Sequence, residues 1–165
     1  MVPIEMIDKV SIFATLDNKE LEKVLALATF DEFQQGQRLF KEGDTATDMW
    51  IVIEGNVELR FEMPSVQSST SENTLSSHDI TVPESQVFGW SCFIEPYTMR
   101  LSAYCVSRWC KIVKINSRQL NELMESEPII GYKIMRYLVQ VVGFRFKQMQ
   151  EEVAKFLGIN MMNSW

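Results

Sequence analysis

Between Phe30 and Phe61 the chain is cut by Gly36, by the pair Gly43-Asp44 and by the pair Gly55-Asn56. Each is a turn signal, and turns about eight to twelve residues apart leave room only for short strands. Met49 through Ile53 is a continuous apolar run, expected of a strand buried on both faces. Val57, Leu59 and Phe61 alternate with Asn56, Glu58, Arg60 and Glu62, the pattern of a half-buried strand. After a Ser-, Thr- and Asn-rich stretch at residues 65–79, read as an extended hairpin tip, strand-like runs resume at 86–90, 101–106 and 111–115. Short strands in this number point to a small sandwich or barrel.

Helices flank the strands. Asp17 with Glu20 three residues later forms a capping box, and Leu16 with Leu21 a hydrophobic staple. Leu21, Val24, Leu25 and Ala28 then mark one apolar stripe, ending near Thr29. Helices return at Ser117, read as an N-cap, with Leu120 and Leu123 on one face. Pro128 suits a first helical turn, where its missing N–H is not needed. From Ile129 to about Leu157 no proline occurs, so a helix of roughly 40 Å can form at ~1.5 Å per residue. The expected class is α+β, mainly β: N-terminal helices over 8–28, strands over 29–115 and C-terminal helices over 117–157.

At 165 residues, with no internal repeat and no linker, the chain reads as one domain spanning 1–165. Its net charge is −6, from 16 basic and 22 acidic side chains. Nucleic-acid binding draws on clustered Lys and Arg, so that class is disfavoured. No apolar stretch reaches membrane-spanning length, and the first residues lack a secretory signal pattern, so a cytoplasmic protein without a membrane partner is expected. Cys92, Cys105 and Cys110 lack metal-site spacing and fit reduced thiols. The single histidine, His78, falls in the polar stretch, which removes His-based triads and multi-histidine metal sites. No enzyme, metal or resident cofactor is expected.

The glycine spacing carries a resemblance. Phe33-x-x-Gly36-Gln-Arg-Leu-Phe40-x-x-Gly43-Asp44, followed by Met49-Trp50-Ile51-Val52-Ile53-x-Gly55-x-Val57, resembles the cyclic nucleotide-binding domain of the catabolite activator/fumarate–nitrate regulator superfamily. The opening Ile12-Phe13-x-x-Leu16 and the helix order are similar too, and the likeness covers residues 8–157. It implies a double-stranded β-helix, or jelly-roll-like β-roll, holding a phosphate-binding cassette. In that cassette a short helix N-terminus and one arginine bind a cyclic phosphate, by free N–H groups and a charged bidentate donor. The matching stretch runs from Phe88 through Ser91, Cys92 and Arg100 to Ala103, with Gly89 and Arg100 on the family's glycine and arginine.

Two positions depart from the family pattern. Trp90 stands where the family has the glutamate that binds the ribose 2′-OH, and Leu101 replaces a small hydroxyl residue. A hydrogen bond involving a charged group is worth about 1.5–3 kcal/mol. Losing the glutamate alone thus predicts roughly 10- to 100-fold weaker cyclic nucleotide binding. The ligand-binding set expected from the resemblance is Phe88, Gly89, Trp90, Ser91, Cys92, Arg100, Leu101 and Ser102. Arg100 alternatively forms a structural ion pair, for instance with Glu95; Trp90 either plugs the pocket or stacks on a ligand.

Family transcription factors continue into a helix-turn-helix domain, whereas only Ile159 to Trp165 follow the long helix here. Lys133, Arg136, Arg145 and Lys147 read as a solvated helical face. The far end of the helix is apolar on more than one side, which predicts a homodimer with a seam at Val141, Phe144, Gln148 and Met149. The expected function is a non-enzymatic regulatory sensor of a cyclic nucleotide or other small anion, signalling through the dimer helix to a partner protein. Ordinary cyclic AMP or cyclic GMP binding, and a ligand-free dimerisation scaffold, are the alternatives.

Overall fold

The computed structural model describes residue 7 and residues 10–61 and 86–162. The stretch 65–79, with His78, lies outside the described residues. A 3-10 turn at Ser11–Phe13 precedes helix α1 at Asn18–Leu25. The capping box is present in full: Asp17 Oδ1 accepts from the amides of Lys19 and Glu20 at 2.9 Å each, and Glu20 Oε2 accepts from the Asp17 amide at 2.8 Å. The helix stops at Leu25, short of the expected Thr29, because Ala28 already begins strand β1 (Ala28–Gln34). There Ala28 pairs with Ile115 and Thr29 with Lys114, and inter-strand hydrogen bonds replace helical ones.

Strands β2 (Arg38–Phe40), β3 (Asp48–Glu54), β4 (Val57–Arg60), β5 (Val87–Phe88), β6 (Ser102–Cys105) and β7 (Trp109–Asn116) follow. They form two antiparallel sheets, one ordered β1-β7-β3-β5 and the other β2-β6-β4. The core lies between them. Trp50, Cys110 and Ile112 of the first sheet face Phe40, Ala103 and Cys105 of the second, and Met49, Ile51 and Val113 are buried on the first sheet's other face. β3 is buried on both faces over Met49–Val52, as its apolar run predicts. The Gly55 turn requires glycine: φ is +86°, and a Cβ there would sit 2.1 Å from the Trp109 carbonyl oxygen.

β4 departs from simple alternation. Glu58 is buried, while Phe61 stands half exposed. The Glu58 carboxylate is compensated by Arg60, which donates from Nε at 2.9 Å and from Nη2 at 2.6 Å. The Arg60 guanidinium in turn lies 4.7 Å over the Tyr104 ring. A paired carboxylate tolerates burial that an isolated one does not.

Helix α2 spans Ser117–Ser126, capped by Asn116, whose side chain accepts from the Gln119 amide at 3.2 Å. Ser117 is thus the first helical residue, not the cap; its hydroxyl donates to the Thr47 carbonyl at 2.9 Å. Helix α3 runs from Pro128 to Met162, 35 residues and roughly 50 Å. Its Ile130, Ile134, Leu138 and Val141 pack into the core. α1 docks against it through Lys133 Nζ on Glu20 at 2.6 Å, and against its approach through a Lys23–Glu127 ion pair. Lys133 is therefore not part of a free solvated face. The architecture is a β-roll with a helix before it and two after it, the last one long.

Candidate phosphate-binding cassette

Gly89 links β5 to a 3-10 helix, Trp90–Phe93, and takes φ +72° and ψ 14°. A Cβ at this position would lie 2.6 Å from Trp50 Cδ1 and 3.2 Å from the Asp48 carbonyl oxygen. Backbone handedness and the close indole thus both demand glycine. Phe88 is buried in an aromatic cluster, 6.1 Å from Trp50 and 5.9 Å from Phe40 between ring centroids. These tilted and edge-on ring contacts fix the floor under the turn.

Within the 3-10 helix the Cys92 amide donates to the Gly89 carbonyl at 3.1 Å. Among the described residues nothing accepts from the Trp90 and Ser91 amides. The side chains of Ser91 and Cys92 are buried, and burial pushes the Cys92 thiol up to about 12, with the Asp48 carboxylate adding to the shift. Cys92 is thus a neutral packing group. Trp90 is half-buried against the core. It fills space beside the turn, where a carboxylate would have offered an acceptor.

The segment that carries Arg100 is tied to the Gly43-Asp44 turn. The Gly43 amide donates to the Met99 carbonyl at 2.9 Å and the Met99 amide to the Asp44 carbonyl at 2.8 Å. The Ala46 amide donates to the Tyr97 carbonyl at 2.7 Å. Ser102 is fully buried, and its hydroxyl accepts from the Glu42 amide at 2.8 Å, so it anchors the loop from the other side. Met99 is buried, Arg100 exposed and Leu101 intermediate. None of the ion pairs among the described residues involves Arg100, and the Glu95 pairing does not form. A clamped mount thus presents a guanidinium with no ionic partner among the described residues.

Residues 88–92 form one turn, and 99–102 form a second, clamped strand entry. Sequence reasoning missed Trp50, which shapes the Gly89 turn from below; its signal is that it is the one aromatic in the Met49–Ile53 run. It also missed Arg145, which is not a fully solvated cation. Its side chain is half-buried, donates to Gln148 at 3.2 Å, and burial lowers its pKa. Of the four expected seam residues, Val141 is buried in the core, Phe144 and Gln148 are half-buried, and only Met149 stands exposed.

The family sequence model described as "Cyclic nucleotide-binding domain" matches residues 30–127. The chain belongs to this family. A putative cyclic nucleotide-binding protein from Geobacter metallireducens is 25% identical and has a TM-score of 0.67. The likeness covers 88% of this chain and 99% of that one. A cyclic nucleotide-binding domain from Methylobacillus flagellatus is 18% identical with a TM-score of 0.68, covering 93% and 80% of the two chains. The Thermus thermophilus catabolite activator protein shares the fold at 18% identity and a TM-score of 0.61; 88% of this chain matches 63% of that one. Nothing among the curated proteins matches. The family's fold is therefore shared by this chain. Among the described residues no helix is long and apolar enough to cross a membrane, and no group of three or more His, Cys, Asp or Glu side chains could hold a metal ion.

Proposed function

We propose that the protein is a non-enzymatic regulatory sensor of a small anionic ligand, held by Arg100 and the 89–92 turn. One observation carries this: the clamped 99–102 segment presents Arg100 without an ionic partner among the described residues. The Trp90 and Ser91 amides supply donors of the kind that suit a phosphate or carboxylate. Trp90 gives no carboxylate to a ribose 2′-OH and Leu101 no hydroxyl to a phosphate, so the cassette favours an anion other than a standard cyclic mononucleotide. The family match supports a second reading, ordinary cyclic AMP or cyclic GMP binding.

The signal leaves through α3 in a homodimer that acts on a partner protein. On its outer side Tyr132, Val139, Phe146 and Val153 are exposed at intervals of seven, interleaved with Met135, Val142 and Met149. Apolar positions alternating three and four apart are a coiled-coil seam, with β-branched valines at two of the former positions favouring two strands. This stripe shares Met149 with the expected seam but not Val141, which is buried against the roll.

Calorimetry and thermal shift with cyclic mononucleotides, cyclic dinucleotides and common anionic metabolites test the site in wild type and Arg100→Ala. A ligand lost roughly 10- to 100-fold in Arg100→Ala is expected, the worth of one charged hydrogen bond. Micromolar cyclic AMP binding abolished by Arg100→Ala selects the second reading. Equal binding by both proteins overturns the site.

A further inference from the structure

Two of the three cysteines meet inside the roll. Cys105 ends β6 in one sheet, Cys110 lies in β7 of the other, and their sulfurs are 2.6 Å apart. That separation falls between a disulfide bond, about 2.05 Å, and the ~3.5–4.0 Å spacing of nonbonded core atoms. Both side chains are buried. Ser107 holds the joining turn over them: its hydroxyl donates to the Trp109 carbonyl at 2.6 Å and accepts from the Asn56 amide at 2.8 Å. The same oxygen stands 3.4 Å from Cys110 Sγ and 4.0 Å from Cys105 Sγ.

We infer that Cys105 and Cys110 form a reversible disulfide site, closed by a peroxide and opened by a thiol reductant, that ties the two sheets together at this end of the roll. A tetrahedral metal site needs more ligands than two sulfurs. Among the described residues no third His, Cys, Asp or Glu joins the pair, so the chemistry left is between the sulfurs themselves. The Cys110 thiol is also dispensable as a donor. It reaches the Asn56 carbonyl at 3.0 Å, but that oxygen already accepts from the Val106 amide at 2.9 Å. β6 is entered from Arg100 and ends at Cys105, so the bond would fix the far end of the strand that follows the cassette.

The closed fold keeps the pair reduced. Burial, and then the neighbouring Cys110, push the Cys105 thiol up to about 12, and a protonated thiol is a poor nucleophile. Reaction therefore waits on opening of the 106–109 turn, where Arg108 and Trp109 are exposed. One sulfur, as thiolate, then attacks hydrogen peroxide. The O–O bond breaks, a sulfenic acid forms, and the departing hydroxide takes up the proton that the thiol released. The second sulfur attacks the sulfenic sulfur; the S–S bond forms, the S–O bond breaks, and the oxygen leaves as water with the second thiol's proton. Two thiols and one peroxide give one disulfide and two waters.

Mass mapping of the full chain tests the site. The native protein is treated with hydrogen peroxide, quenched, alkylated in denaturant and digested with trypsin without reductant. Trypsin cuts after Arg108, between the two cysteines, so the bond joins two separate peptides. The expected product lacks two hydrogens, links Cys105 to Cys110, leaves Cys92 alkylated and is fully reversed by dithiothreitol. Sulfoxide at the exposed Met149 shows that the oxidant has acted. With that sulfoxide present, alkylation of both Cys105 and Cys110, or a sulfinate on either in place of the link, overturns the proposal. A link to Cys92 overturns it as well. Melting gives a second readout that needs no variant. The linked protein is expected to melt about 4–8 °C above the same oxidised sample after dithiothreitol, which opens the link but leaves methionine sulfoxides. A linked protein that melts lower shows that the fold must distort to form the bond, and the site is then not one the fold has built.

Discussion

The two sides of α3 carry the same kinds of side chain and meet different surroundings. Facing the roll, Ile130, Ile134, Leu138 and Val141 are no more than 5% exposed. Facing away, Tyr132, Val139, Phe146 and Val153 are at least 53% exposed. Both sides repeat at three and four, so hydropathy alone gives two candidate seams. What separates them is register against the roll, fixed where Pro128 starts the helix and Ile130 and Ile134 meet the core. A core stripe and an interface stripe are told apart by what already touches them.

The sharpest way to break this comparison is to truncate one residue on each side. Ile134→Ala removes a fully buried side chain and is expected to cost about 2–5 kcal/mol of unfolding free energy, transfer plus cavity. Val139→Ala, measured in denaturant at concentrations too dilute for dimers, is expected to stay within about 0.5 kcal/mol of wild type, as exposed positions do. Equal losses would mean the outer side is packed within the protomer.

A smaller effect sharpens the same contrast through the two glycines of α3. A Cβ at Gly143 meets nothing within 4 Å, whereas one at Gly131 lies 3.1 Å from Met124 Cβ and 3.2 Å from its carbonyl oxygen. Gly143→Ala is therefore expected to stabilise the protomer by about 0.5–1 kcal/mol, the helix preference for alanine over glycine. Gly131→Ala gains the same preference but must push α2, so its net effect should be smaller or of opposite sign. Thermal melts of both variants decide, and an equal gain at the two sites would show that α2 yields freely.

Much of this was legible in the chain. Asp17 and Glu20 announce α1 by local chemistry, and the Met49–Ile53 run announces β3 because a continuous apolar run needs cover on both faces. Gly89 marks the cassette because no other residue fits its turn. What stayed hidden depends on partners distant in sequence. Glu58 reads as solvent-facing until Arg60 folds onto it over Tyr104 of β6. Arg145 reads as a fully solvated cation until α3 is folded and leaves it half-buried. Ala28 continues a helical stripe on paper, but β7 offers it a strand partner at Ile115. Val141 and Val142 are equally apolar, and only packing against the roll shows that the first is buried and the second exposed.

The weakest expected effect concerns the ionic contact that joins α1 to the roll-facing half of α3. Glu20 accepts from Lys133 Nζ at 2.6 Å and from the Asp17 amide, and Lys133 is the first cause of a carboxyl pKa held below its ordinary value near 4.5. A carboxyl depressed in the folded state binds its proton less readily there than in the unfolded chain. Its contribution is therefore complete above the unfolded pKa and is lost as pH falls through the lower folded value. Melting temperature should accordingly decline between about pH 5 and 3 more steeply in wild type than in Lys133→Met, which lacks the partner. The difference between the two curves should vanish in strong salt, because this contact is partly open to solvent and screened. Parallel curves at low salt would show that the Glu20–Lys133 contact does not help hold α1 against α3.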